Sequence, residues 1–362
     1  MKMMHKYLLK EYLAPVIFCL AGFCSIYIVC SLFDNLSRFM DAQTPPLLIA
    51  KYYLYFLGPN IENLIPASLL LATLYTLWQL SRHNEITAMR ASGVSFKSIM
   101  TPFLCVGVIF SIATSVIKET WSPQATIWTR DFARNNWQEP TQKIENNLIY
   151  YDRITHRRWI IGSMDMKNSS ILHNLEIREE REDGSKSREI MTPRAEYMDG
   201  TWWMFGGNEN SYSPSGGRTN SSSISKRGTE FTDIIETPED IVIDKIPPEA
   251  RSSREIKKII ARSQGQSSKS KARLKADFHN RLAMPWACLI ITLFGLPLGA
   301  RTGRQSALAG IITALVCFFC FYGLIQIGML LAAKRVIWAW LGAWLSNIVF
   351  SVVGITMISK VK

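Results

Sequence analysis

Charged side chains are absent from six long stretches of this sequence. The stretches without Asp, Glu, Lys or Arg are 12–33, 63–81, 98–117, 282–300, 305–333 and 336–359. Each has at least 19 residues, and an α-helix needs roughly 20 to cross a hydrocarbon core. A backbone in that core must satisfy its own hydrogen bonds, so we expect six membrane-spanning helices. Three of them precede a polar insert and three follow it.

Cysteine is absent from the polar insert. All seven cysteines of the chain lie inside the charge-free stretches. No disulfide framework can therefore hold the insert, which must fold around a hydrophobic core of its own.

Sequence motifs for nucleotide binding, metal binding and catalysis are also missing. There is no Gly-x-x-x-x-Gly-Lys-Ser/Thr loop, which excludes ATP binding by a P-loop in this chain. There is no His-Glu-x-x-His, and His83 and Glu85 lack the spacing of metal ligands on one helix face. No serine or cysteine has a recognisable base arranged with it. We therefore expect a non-catalytic protein without a cofactor or metal.

The distribution of basic residues predicts the orientation. Basic residues precede the first predicted helix and occupy the loops after the second and fourth, which places these segments in the cytoplasm and the insert outside. The segment 251–281 opposes this assignment with ten basic and two acidic residues. Long domains translocate largely regardless of charge, so we expect this segment outside, near an anionic partner. With six spans, the net charge of +12 favours anionic lipid over nucleic acid.

The insert carries the pattern of an all-β domain. Short runs such as 171–178 and 202–205 are separated by turn signals such as Asp199-Gly200, which predicts an antiparallel sandwich or roll. Ser252 and Glu255 then have the spacing of a capping box before an amphipathic helix.

The predicted domains are spans 1–3 with a cytoplasmic helix near 82–93 (1–118), the β domain (119–250), a basic connector (251–281) and spans 4–6 (282–362).

The polar loop between the second and third spans is the most informative motif. It predicts a helix of two to three turns, with Gly93 suited to the left-handed residue that ends it. Glu85 and Met89 lie four residues apart on one face, with Ile86 and Arg90 beside them. The spacing fits a docking helix for a cytoplasmic partner and a plain interfacial connector equally well.

This loop resembles the coupling helix of the LptF/LptG permease family, the membrane subunits of the lipopolysaccharide-export ABC transporter. The matching residues are Glu85, Ile86, Thr87, Ala88, Met89, Arg90, Ala91 and Gly93. Segments 279–285, 296–299 and 195–202 are similar to further parts of the family. The segment 33–39 leans towards LptG.

The resemblance implies a fold, partners and a location. It implies a periplasmic jelly roll inserted between two sets of three helices in the bacterial inner membrane. The implied partners are a related six-helix subunit in a heterodimer, a dimeric cytoplasmic ATPase, a single-span periplasmic bridge protein and lipopolysaccharide. Glu85, Ile86, Met89, Arg90 and Gly93 are the implied ATPase-coupling residues.

Charged residues near the outer ends of the spans are candidates for substrate binding. In the family, basic residues near the outer end of the first span meet lipid phosphates, and here that zone offers Arg38 and Lys51. Glu62 is an acid at the membrane boundary, either a functional group or an interfacial residue that faces water. The remaining candidates are the basic residues of the connector, Lys271, Arg273, Lys275 and Arg281.

Two other functions fit the same pattern of spans. One is a membrane sensor or mechanotransmission protein whose outer domain binds a ligand. The other is a membrane-embedded enzyme acting on lipid-linked substrates, which the missing catalytic motifs disfavour. The family resemblance favours a permease subunit that extracts lipopolysaccharide, driven by a separate ATPase.

Overall fold

The chain folds into two compact units. The computed structural model describes residues 2–139, 144–152, 154–165, 169–181, 183–262, 268–302 and 307–360. The helical unit consists of Met1–Gln138, Ser252–Lys257 and Ser268–Lys362, and the β unit consists of Glu139–Arg251 and Lys258–Ser267.

Four helices form the first part of the helical unit. They are α1 (Lys2–Asp41), α2 (Pro46–Arg82), α3 (Glu85–Ala91) and α4 (Phe96–Arg134). Pro46 occupies the first turn of α2, where its missing N–H costs no hydrogen bond. Ser95 caps α4 by accepting a hydrogen bond from the Ser98 N–H (3.3 Å). The three long helices contain the first three charge-free stretches, which confirms these predicted spans.

All three long helices continue beyond their charge-free stretches at the end from which α4 leads into the β unit. We call this end the insert end and the opposite end, next to α3, the loop end. The helix extensions pack around buried Phe39, Tyr52, Tyr53 and Phe132. Trp137, just after α4, places its ring 4.8 Å from that of Phe39. This aromatic cluster joins the three extensions outside the charge-free stretches.

The β unit contains an eight-stranded antiparallel sheet within the described residues. Its strands are β1 (Ile144–Asp152), β2 (Arg157–Asp165), β3 (Ile171–Glu180), β4 (Lys186–Met198), β5 (Thr201–Phe205), β6 (Asn208–Tyr212), β7 (Arg218–Ser223) and β8 (Thr229–Phe231). The strand order is β1-β2-β3-β4-β5-β8, and β6 pairs with β4 and β7. Besides β3, β4 pairs with two strands, with β6 along its first half and with β5 along its second half. The predicted antiparallel insert is confirmed.

A pair of tryptophans lies at the centre of the β-unit core. Trp159 and Trp202 are fully buried, with ring centroids 5.4 Å apart. The Trp202 indole N–H donates a hydrogen bond to the Glu236 carbonyl (2.7 Å), and buried Arg157 binds the Glu236 carboxylate (3.3 Å). The Trp202 indole, Arg157 and Glu236 therefore find their partners inside the β unit, which contains no cysteine.

Two short helices, α5 (Pro238–Lys245) and α6 (Ser253–Arg262), follow the sheet. The predicted capping box of α6 is present. The Ser252 N–H donates to the Glu255 carboxylate (2.6 Å), and the Glu255 N–H donates to the Ser252 hydroxyl (3.3 Å). The boundary between the two units falls inside α6. Residues 263–267 of the basic segment 251–281 lie outside the described residues.

The second part of the helical unit supplies the remaining spans. It consists of α7 (Ser268–Ala283), a 3₁₀ turn (Met284–Trp286), α8 (Ala287–Thr302), α9 (Ala307–Ala333) and α10 (Ala339–Ser359). The fourth span runs through α7, the turn and α8. In the part of the chain that the structure describes, six segments are long and apolar enough to cross a membrane, as predicted.

The 3₁₀ turn interrupts the fourth span at Pro285. Its freed backbone groups find partners on two neighbouring helices. The Asn347 side-chain amide donates to the Ala283 carbonyl (2.8 Å), and the Leu289 N–H donates to the Ser111 hydroxyl (3.2 Å). Side chains of this kind allow a broken helix to persist where water is absent.

Small residues allow close helix packing. Gly295 and Gly299 of α8 face Leu70 and Leu77 of α2, in the manner of paired small residues at helix contacts in membranes. Gly328 of α9 and Gly342 of α10 approach so closely that a Cβ built on Gly342 would lie 2.5 Å from the Gly328 carbonyl oxygen.

Gly342→Ala is expected to lower the free energy of unfolding by about 1–3 kcal/mol, because the two backbones must separate to admit the methyl group. Gly323→Ala on α9 is the control, since an added Cβ there meets nothing within 4 Å. Thermal unfolding in mild detergent measures both variants. Equal transition midpoints for the two would contradict the close approach of α9 and α10.

A buried carboxylate makes the stability of the β unit depend on pH. Glu189 of β4 accepts hydrogen bonds from Lys186 and from the Tyr212 hydroxyl (2.8 Å). Burial alone would raise the pKa of Glu189, but these bonds outweigh it and hold the pKa below its ordinary value. The ionised carboxylate therefore stabilises the fold above the unfolded-state pKa. That contribution is lost as the pH falls through the lower folded-state pKa.

Tyr212→Phe removes one donor and should raise the pKa of Glu189. The variant is expected to be less stable than the wild type at pH 7, and the difference should shrink below about pH 4. Urea unfolding of the full chain, followed by tryptophan fluorescence across this pH range, measures the effect. Tyr151→Phe, which changes an exposed tyrosine bonded to His156, should show no such convergence.

Candidate functional site

The short helix α3 is bounded by residues with unusual backbone conformations. Asn84, just before it, has φ +58°, and Gly93, just after it, has φ +86°. The Val94 N–H donates to the Met89 carbonyl (3.1 Å) and the Gly93 N–H to the Arg90 carbonyl (3.0 Å). These two bonds form a Schellman motif, which needs a left-handed residue where Gly93 stands. The predicted helix stop at Gly93 is confirmed.

Two side chains attach α3 to the helical unit. Ile86 is 9% exposed, and Met89 packs against the same core cluster, which includes Leu8 of α1 and Ile99 of α4. The family resemblance implied that Ile86 and Met89 couple to the ATPase. In the structure both side chains face the helical unit and hold α3 in position, and their coupling role stays a prediction.

The opposite face of α3 is open. Thr87, Ala88, Arg90 and Ala91 are exposed. Glu85 is half-buried, and its carboxylate accepts a hydrogen bond from the Tyr7 hydroxyl of α1 (2.9 Å). Tyr7 was not among the predicted site residues, because no local spacing connects it to Glu85.

At the insert end, two candidate cations lie over tryptophan rings. Arg38 is 5.8 Å from the Trp137 ring centroid, and Lys51 is 5.1 Å from that of Trp128. In such a contact the face of the aromatic ring attracts the cation. Arg38 also donates to the Asn35 side chain (3.1 Å).

Two other candidates are committed to internal ion pairs. Glu62 of α2 pairs with Lys118 of α4, and Arg281 of α7 donates to the Glu119 carboxylate (2.9 Å). Arg281 is only 8% exposed. Glu62 therefore has a buried cationic partner, Lys118, which neither interpretation of Glu62 from the sequence included.

The remaining basic candidates lie along α7. Lys271 is half-buried, whereas Arg273 and Lys275 are exposed. The structure thus separates the seven substrate candidates into three groups: cations at the aromatic cluster, cations on α7, and charges enclosed in ion pairs.

Metal binding finds no support in the described parts of the chain. No group of three or more His, Cys, Asp or Glu residues there is placed to hold an ion. All seven cysteines are free thiols on the helices that contain the charge-free stretches.

Comparison with protein families identifies this arrangement. The family model described as "Lipopolysaccharide export system permease LptF/LptG" matches residues 6–360. A search of curated proteins gave no match. The family match does not distinguish LptF from LptG, so the lean towards LptG stays a prediction. Since the match includes α3, the β unit and all six spans, the chain belongs to the LptF/LptG family, the non-catalytic permeases of the lipopolysaccharide-export ABC transporter.

Proposed function

We propose that the chain works as one half of a heterodimer with a related six-helix subunit in the bacterial inner membrane. Only 6% of the most apolar part of α1 is buried within the chain, and 22% of that of α9. Such bare helices need lipid or another protein around them. The charge bias supports a cytoplasmic loop end and a periplasmic β unit.

The exposed face of α3 is proposed to dock on a separate, dimeric cytoplasmic ATPase. The observation that carries this proposal is the two-sided character of α3. Ile86 and Met89 anchor it, while Arg90 and its exposed neighbours remain available to a partner. A push on α3 would reach the core cluster that these anchors join, which contains residues of α1, α2 and α4. Gly93 ends the helix and sets the direction in which the chain leaves it.

The cations at the insert end are proposed to bind the phosphates of the glycolipid. Arg38 and Lys51 are positioned by tryptophan rings. A cation that lies over the face of an aromatic ring can still donate hydrogen bonds to an anion. Arg273 and Lys275 supply further exposed charge. Glu62 and Arg281 are assigned to internal ion pairs instead. Apolar helix surfaces would take the acyl chains.

Export then follows from ATP-driven movement of α3 and the helices attached to it. The cavity between the two subunits would close and move lipopolysaccharide towards the β unit. Within the described residues, β1, β7 and β8 each pair with one strand only, and such edge strands are templates for strand addition by a single-span periplasmic bridge protein.

Glu85→Ala is expected to weaken co-purification of the ATPase by roughly tenfold, as expected for a lost charge-assisted contact. The matched control is Tyr7→Phe, which removes the intramolecular donor but leaves the carboxylate in place. Pulldown and ATPase rate measure both. If Glu85→Ala binds as the wild type does, the docking role is wrong; if Tyr7→Phe loses binding equally, Glu85 acts through α1.

Replacing Arg38 and Lys51 together with Gln should reduce photocrosslinking of lipopolysaccharide, because two phosphate partners are lost. A second pair of changes, Arg273→Gln with Lys275→Gln, tests the α7 cations. Lys97→Gln is the control, since Lys97 is an exposed cation at the loop end. Undiminished crosslinking in both double variants would remove these cations from the substrate site.

A further inference from the structure

Two adjacent residues of α4 begin the charged region at its insert end. Lys118 follows the charge-free stretch directly and is only 8% exposed, and Glu119 comes next. The Lys118 ammonium pairs with Glu62 of α2, and the Lys118 carbonyl accepts a hydrogen bond from the Arg281 guanidinium. This part of α4 therefore contacts α2 and α7 through charged groups.

The Glu119 carboxylate joins three helices. One oxygen accepts from Arg281 Nε (2.9 Å) and from the Ser253 hydroxyl (2.5 Å), and the other accepts from the Ser253 N–H (3.1 Å). Arg281 belongs to α7, and Ser253 is the first residue of α6. We call Glu119, Ser253 and Arg281 the connector clamp.

The position of the connector clamp in the chain is its most informative property. The chain enters the β unit after α4, and it returns from the β unit through α6 and α7. Glu119 therefore links the helix that leads into the β unit, α4, to the two helices that lead back from it, α6 and α7. All three clamp residues belong to the helical unit.

Stability alone is a weak reason for such a clamp. Burying ion pairs costs desolvation energy, and apolar residues of similar size often stabilise a fold as well or better. Arg281 is the one predicted phosphate ligand of the connector whose side chain is buried and directed at an internal carboxylate. A role in fixing geometry accounts for both observations.

We propose that Glu119 is a positioning residue for export, on the basis of the transport cycle proposed above. It clamps the connections into and out of the β unit to the same turn of α4. Movement of α4, driven from α3, is thereby carried into the chain that leads to the β unit. Without the clamp, the connector would absorb that movement.

The test uses the complete transporter reconstituted in liposomes with lipopolysaccharide, its ATPase and an acceptor. Glu119→Gln keeps the side-chain shape and removes the charge. Its ATPase rate should stay near that of the wild type. Lipopolysaccharide released per ATP hydrolysed should fall roughly tenfold, the factor expected from losing one charge-assisted hydrogen bond.

Further variants separate positioning from folding. Ser253→Ala keeps the ion pair with Arg281 and should also lower release per ATP. The double variant Glu119→Gln with Arg281→Gln should be no worse than Glu119→Gln alone, because residues that act as a unit are not additive. Glu239→Gln is the control, since it breaks the exposed ion pair with Lys258 and should change nothing.

Three outcomes overturn the inference. One is unchanged release per ATP in Glu119→Gln. Another is a parallel fall of ATPase rate and release, which indicates a structural role only. If Glu119→Gln does not fold, normal release per ATP in Ser253→Ala decides against the clamp. A wild-type complex that releases no lipopolysaccharide contradicts the proposed transport cycle itself, which separates that failure from the failure of the clamp.

Discussion

The architecture depends on one constraint, that a backbone crossing lipid must satisfy its own hydrogen bonds. Regular helices meet it along most of the six spans. At the 3₁₀ turn Met284–Trp286 they cannot, and Ser111 and Asn347 supply the missing partners from neighbouring helices. The fourth span is therefore divided into two helices at a turn close to Arg281. The two helices that meet at the turn, α7 and α8, have 16 residues each, and the open backbone groups between them have partners on neighbouring helices.

The two ends of the helical unit use different chemistry to connect helices. At the loop end, apolar side chains from α3 enter the common core. At the insert end, aromatic rings and ion pairs join helices that have already left the charge-free region. Apolar contacts tolerate small sliding movements, whereas ion pairs with several hydrogen bonds define an angle. This difference suits the transport cycle proposed above, in which force would arrive at the loop end and be directed at the insert end.

Much of this structure could be predicted because the relevant signals are local. Missing charge marks the spans, Gly93 marks the end of α3, and turn residues mark the strands. The contacts that decide the site are not local. Tyr7 and Glu85 are 78 residues apart in the chain, and Glu119 and Arg281 are 162 apart. A single sequence cannot pair them, so the prediction that Arg281 binds substrate did not include its carboxylate partner.

The β unit has no cysteine, and its first five strands pair in the order in which they occur. Its maturation therefore does not wait for an oxidant or for disulfide exchange, which takes seconds to hours. Neighbouring strands close short loops, and short loops favour fast folding. Most of the sheet can form before the later spans have been synthesised. The domain can thus complete its fold early, whatever the redox state of the compartment it enters.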